Sequence, residues 1–291
     1  MPRFAFAACV VLFAVRPGLG QVSDAMLVSV ADLTALQKDP DVVVLHIADR
    51  ASLFEQGHIP GVRFVRYADF AVDGVEALGS ELPPAATVKQ VFEAAGVSDH
   101  SRVIVYAQSP VLAARAFFTL DVFGHRRVAV LDGGLRAWRD ANQPVEAGAA
   151  RPVAAGRFAP QLDAARLADA AFIRGQMPGQ GIALVDVRPD DEFFGRNTMG
   201  GAHAAGHIPG ARQLTWNSLV GADGRFLPRE ELHKRLQATG MTAGRPVVAY
   251  CMVGMRASVV YFVARYLGHA VRLYDGSIVD WSRRQLPLVR N

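Results

Sequence analysis

The chain has 291 residues, of which 51% are hydrophobic, with 31 basic and 27 acidic side chains and a formal net charge of +4. That much apolar material excludes a disordered polymer and is enough for two domains of ordinary size. A charge this small, scattered along the chain, excludes an electrostatic nucleic-acid binder and leaves a solvated mixed surface.

The first segment, residues 1–20, has Arg3, an apolar run of 12 residues at 4–15, a break at Pro17 and small residues Gly18 and Gly20. This layout predicts a secretory signal peptide, because the run falls short of the roughly 18 residues that cross a bilayer. The expected location is therefore the periplasm or the exterior; a mis-called start upstream of a cytosolic enzyme is the alternative. Cleavage would remove Arg3, Arg16 and no acid, leaving a charge of +2, and would remove Cys9, so that Cys251 is the sole remaining cysteine. No intramolecular disulfide is then possible. No later run reaches membrane-helix length, and no membrane association is expected.

Downstream, short apolar runs alternate with helical spacings. Residues 42–45 read as a buried strand, followed by Gly57-His58-Ile59-Pro60-Gly61. Residues 103–106 and 128–131 read as strands around a helix at 111–123, and Asp132-Gly133 with Trp138 follows. The stretch 145–161, VEAGAARPVAAGRFAPQ, is rich in Ala, Gly and Pro and shows no apolar period, which marks a linker. The same order then recurs: a strand at 183–185, Gly206-His207-Ile208-Pro209-Gly210, a strand at 247–250, a helix at 257–267, a strand at 271–274, and Asp275-Gly276 with Trp281. Offsets between the copies run from 149 at the first motif to 144 and 143 at the later ones, so the halves differ by loop-sized insertions. The predicted fold class is α/β, with tandem domains at 27–145 and 162–291 joined by 146–161. Each is a mainly parallel sheet flanked by helices, with ligands expected beyond the carboxyl ends of the strands.

The chemistry is concentrated in Tyr250-Cys251-Met252-Val253-Gly254-Met255-Arg256-Ala257. A strand ends at Tyr250 and a helix begins near Arg256 or Ala257, so Cys251 is expected at a strand-to-helix turn. The amides of Met252, Val253, Gly254 and Met255, with the helix dipole, favour negative charge at its sulfur. A helix N-terminus lowers a free thiol from a pKa of about 8.5, which predicts a nucleophilic thiolate. Gly254 lets the loop curl, and Arg256 adds a fixed positive charge for an anionic donor. A buried inert cysteine is the bland alternative, and the loop composition weighs against it.

Upstream, Asp186 and Arg188 close the first strand of the second half. Asp186 is placed to fix a neighbouring loop; Arg188 either holds that carboxylate or attracts an anionic substrate. His58 and His207 read as structural, and Trp138 and Trp281 as packing residues. There is no metal-ligand spacing and no Walker motif, so neither metal nor cofactor is expected.

The duplicated halves, the GHIPG segment, the DG…W segment and the Cys-x-x-Gly-x-Arg loop together resemble the rhodanese family, over roughly residues 27–289. The resemblance implies a tandem sulfurtransferase of the thiosulfate or 3-mercaptopyruvate type. In that family the first domain is usually inactive and the second bears the cysteine. Ala107 stands at the position matching Cys251, and the following Gln108-Ser109-Pro110 lacks the loop glycine, so domain one is expected to be structural and to wall the cleft. His46 and Ala48 stand where the second half has Asp186 and Arg188. Glu192 departs from the family, which often has a substrate-binding arginine nearby; Arg196 is the candidate replacement.

The resemblance implies double displacement through a Cys251 persulfide, with a small-molecule sulfur donor and a thiol or cyanide acceptor. Oligomeric state is left open. Typical mercaptopyruvate loops read Cys-Gly-Ser/Thr-Gly-Val-Thr and animal thiosulfate loops Cys-Arg-Lys-Gly-Val-Thr. This loop matches neither, and Arg256 with the missing small polar residues points to thiosulfate ahead of 3-mercaptopyruvate. A phosphatase of the same fold, with a Cys-x5-Arg loop, is one rival; the spacing here is Cys-x4-Arg. An inactive sulfur-binding module is the other.

Overall fold

A computed structural model describes residues 26–72, 81–176, 181–198 and 204–290; the expected leader, residues 1–20, lies outside them. Two five-stranded parallel sheets form, one in each half. The first contains β1 (Leu27–Val28), β2 (Val42–Ala48), β3 (Arg63–Arg66), β4 (Arg102–Tyr106) and β5 (Val128–Leu131), in the order β1-β5-β4-β2-β3. The second repeats that order with β6 (Leu167–Ala168), β7 (Ala183–Asp186), β8 (Arg212–Gln213), β9 (Val247–Tyr250) and β10 (Val271–Tyr274), as β6-β10-β9-β7-β8. The central strands are apolar along their length because both faces are covered. On β2, Val43, Leu45 and Ile47 join one core and Val44 joins another.

Helices follow the strands: α1 (Val30–Leu36), α2 (Ala51–Glu55), α3 (Ala85–Ala94), α4 (Pro110–Val122) and α5 (Gly134–Asp140) in the first half. The second half has α6 (Ala170–Gly175), α7 (Asp190–Phe193), α8 (Arg229–Ala238), α9 (Ala257–Tyr266) and α10 (Ser277–Arg283). Ser29 begins α1 with a reciprocal bond to Asp32, a capping box that satisfies two otherwise orphaned donors. Helices α4 and α9 are buried nearly all round, from Ala113 to Val122 and from Ala257 to Ala264. A helix apolar on every side needs cover on every side, and each of these lies between its own sheet and the other half. Phe117 meets Phe262 edge-on at 4.9 Å, and Phe118 meets Tyr261 the same way at 4.9 Å. The offset of 144 carries the first pair onto the second, so the halves face each other across a pseudo-twofold axis.

Residues 146–161 run without regular structure along the first half. Glu146 bridges His58 (N···O 2.8 and 2.9 Å), Gly156 N–H donates to Glu93 O, and Gln161 N–H donates to Phe123 O. His58 and His207 are buried, each donating Nδ1–H to a carbonyl at 3.0 Å, of Phe54 and Phe193. Trp138 and Trp281 donate Nε1–H to Pro144 O and Pro287 O. All four are structural in this arrangement.

Candidate active site

Strand β9 delivers Cys251 to the carboxyl edge of the second sheet, where α9 begins six residues later. Cys251 is completely buried. Loop 251–256 is curled around one hydroxyl. Cys251 N–H and Gly254 N–H both donate to Ser277 Oγ, at 3.0 and 3.1 Å, and Ser277 O–H donates to Tyr274 O at 2.7 Å. Ile278 and Val279 donate their amides to the carbonyls of Cys251 and Met252. Gly254 has φ +80°, and a Cβ there would run into Asp275, whose carbonyl oxygen would lie 2.8 Å away; only glycine fits. Among the described residues no acceptor takes the amides of Met252, Val253, Met255, Arg256 or Ala257. These five are the donors that a strand-to-helix turn leaves for an anion.

Two arginines stand at this loop, and each has a carboxylate. Arg256 donates from Nη1 and Nη2 to Oε1 and Oε2 of Glu192, both at 2.7 Å. Burial opposes the charge of Arg256, but Glu192 and the neighbouring Cys251 more than offset it and raise its pKa. The fixed positive charge expected of Arg256 is held in a bidentate ion pair, and the Glu192 that breaks the family pattern is its partner. The second arginine, Arg115 from α4, donates to Asp275 at 2.5 and 3.2 Å. Arg115 is buried, and Asp275, then Tyr67 and Cys251, hold its pKa above the usual value against that burial. Asp275 also accepts Leu82 N–H at 2.8 Å, and Tyr67 O–H donates to Met255 Sδ at 2.8 Å. The first half therefore walls the loop with Arg115, Tyr67 and Leu82.

Asp186 and Arg188 form a buried pair, with Nη2–Oδ2 at 2.6 Å and Nε bonded to both carboxylate oxygens. Arg188 Nη2 also donates to Gly206 O at 2.8 Å. That geometry ties β7 to the GHIPG segment and is the carboxylate-holding role that the sequence offers for Arg188. Arg196 pairs with Asp191 at 3.0 Å on the exposed surface and lies over the Phe194 ring. Among the described residues no hydrogen bond or ion pair joins Arg196 to the Cys251 loop.

Arg115, Tyr67, Asp275 and Ser277 escape a reading of the sequence alone as site residues. Arg115 has a signal: it is the one charge in the apolar stretch 110–120 of a helix in the supposedly inactive half. Ser277 has another, since the matching first-half residue is Gly134 with φ +54°, and Ser277 adopts φ +52° without being glycine. The first-half counterpart of the loop has been dismantled. Ala107 replaces the cysteine, Pro110 brings no amide, and Ser109 Oγ accepts the Val111 N–H. Beside Ala107 lies a cavity of about 290 Å³ closed by Trp216, Val220 and Phe226 of the second half.

The model of the rhodanese-like domain matches residues 29–141 and again 169–284. A probable 3-mercaptopyruvate sulfurtransferase of Pseudomonas aeruginosa is 36% identical over 282 residues, covering 89% of this chain and 96% of its own. A thiosulfate sulfurtransferase of Azotobacter vinelandii is 28% identical, covering 88% of this chain and 93% of its own. Among solved structures, a 3-mercaptopyruvate sulfotransferase from Escherichia coli superposes with a TM-score of 0.77 at 25% identity, over 87% of this chain and 98% of that one.

Proposed function

The chain belongs to the rhodanese family as a tandem-domain sulfurtransferase, and from that premise we propose that it takes sulfur from thiosulfate and carries it as a persulfide on Cys251. The supporting observation is a buried cysteine at a strand-to-helix turn whose loop leaves five amides without an acceptor among the described residues. The Cys251 thiolate attacks the outer sulfur of thiosulfate; the S–S bond of the donor breaks and its electron pair leaves on sulfite. The loop amides then hold the terminal sulfur of the persulfide anion. Cyanide or a thiolate attacks that sulfur and returns the thiolate. In this reading the domains divide at 146–161, the first is structural, and donor and acceptor are small molecules.

Loop chemistry favours thiosulfate, because Val253 and Arg256 stand where mercaptopyruvate loops have small polar residues. The Pseudomonas aeruginosa relative favours 3-mercaptopyruvate as the second reading. A phosphatase is disfavoured by the Cys-x4-Arg spacing and by Glu192, a carboxylate seated where a phosphate would need the guanidinium. Steady-state assays with both donors, on wild type and Cys251→Ser, test the proposal. We expect thiosulfate turnover to exceed mercaptopyruvate turnover and the serine variant to lose at least about a thousandfold, as when a nucleophile is removed. Full activity in Cys251→Ser refutes the persulfide, and faster mercaptopyruvate turnover reverses the donor. We also propose export by way of residues 1–20; recovery of the uncleaved chain in the cytosol after fractionation contradicts it.

A further inference from the structure

The two carboxylates at the Cys251 loop do different work. Asp275 serves Arg115, accepts the Leu82 amide and packs against Gly254; its loss would disturb the loop and the contact between halves together. The Glu192 carboxylate bonds only the two terminal nitrogens of Arg256 among the described residues. It sits on α7, a helix of 4 residues, with its side chain buried. The Arg256 side chain keeps 23% of its surface exposed, which leaves the pair at the rim of the site.

Resting on the reading of Cys251 as the sulfur carrier, we propose that Glu192 is a specificity-determining residue, a tethered anion on the edge of Arg256 that a sulfonate or sulfite group would otherwise take, which raises the KM for the dianion thiosulfate while leaving thiosulfate the donor turned over. A guanidinium presents its two terminal N–H groups as one fork matched to a planar or tripodal oxyanion. Here both are occupied at 2.7 Å. The charges of Arg256 and Glu192 cancel, and so do those of Arg115 and Asp275. The attacking thiolate then stands as the one uncancelled unit charge among these groups. A dianion approaching it is repelled about twice as strongly as a monoanion.

The test compares thiosulfate, a dianion, with methanethiosulfonate, a monoanion that transfers its outer sulfur the same way and releases methanesulfinate. In Glu192→Gln the thiosulfate KM should fall roughly tenfold, the change that about 1.4 kcal/mol brings. The methanethiosulfonate KM should fall by only about threefold, half that effect in free energy. Glu192→Asp, which keeps the charge, should hold the wild-type ratio of the two KM values. A second readout needs no turnover: sulfite titrated calorimetrically should bind roughly tenfold tighter to Cys251→Ser/Glu192→Gln than to Cys251→Ser. That arm separates the two ideas, because it reports on Glu192 whether or not Cys251 carries sulfur. Should Glu192→Gln fail to fold, Arg256→Gln must raise the thiosulfate KM more than the methanethiosulfonate KM. Equal changes for both donors, an unchanged ratio, or sulfite binding no tighter without the carboxylate would overturn the proposal.

Discussion

Ser277 shows what a single residue contributes to this site. It holds φ +52°, a left-handed conformation that costs a non-glycine residue roughly 1–2 kcal/mol. Its first-half counterpart Gly134 takes φ +54° without that cost. The strain is offset by a hydroxyl that accepts two loop amides and donates to Tyr274 O. Ser277→Ala keeps the strain and strands two buried N–H groups, each costing about 1–3 kcal/mol; Ser277→Gly strands the same amides and relieves the strain. Denaturant unfolding should therefore rank wild type above Ser277→Gly and Ser277→Gly above Ser277→Ala, with sulfur transfer impaired in both variants. A glycine variant less stable than the alanine variant contradicts the strain argument. Cys251 and its loop were legible in the sequence because strand, cysteine, glycine and arginine are contiguous. Glu192 was not legible as a partner, since it reaches Arg256 across 64 positions, a contact that only the parallel sheet creates.

Among the elements, β2 and β7 are copies that diverged at their carboxyl ends. Strand β7 leads into the buried Asp186–Arg188 pair, whereas β2 ends in His46 and Ala48. His46 is wholly buried, stacks on Tyr106 at 4.6 Å, and has no partner for either ring nitrogen among the described residues. Burial, with repulsion from His58, lowers its pKa to about 4. Between pH 6.5 and 4 the unfolded chain binds a proton there that the folded chain refuses. The stability present above pH 6.5 is therefore lost as the pH falls, by about 3 kcal/mol over the window. His46→Phe should flatten that slope in unfolding curves taken across the window; an equal slope in both proteins counts against it. The central strands were legible to within three residues from their unbroken apolar runs, and β4, β5, β9 and β10 nearly to the residue. Strands β1, β6 and β8 have 2 residues each, and β3 has an arginine at both ends, so none shows an unbroken apolar run of strand length, and they were missed.

On the scale of the whole molecule, the repeat made two domains legible, but the way they close on each other was not. Asp121 lies buried between the halves and takes Tyr261 O–H at 2.6 Å, Arg166 at 2.9 Å and Arg265 at 3.2 Å. Removing one member of such a buried network leaves the others uncompensated and costs roughly 3–5 kcal/mol. Asp121→Ala should split thermal unfolding into two calorimetric transitions; a single transition at the wild-type temperature would exclude this role. The halves also exchange a matched pair of bonds: Leu82 N–H donates to Asp275, and Phe226 N–H donates to Asp132, both at 2.8 Å. These bonds are images of each other about the pseudo-twofold axis. Because symmetry relates the two bonds, any tilt of one half against the other would lengthen both together, which ties the surroundings of Cys251 to the chamber beside Ala107.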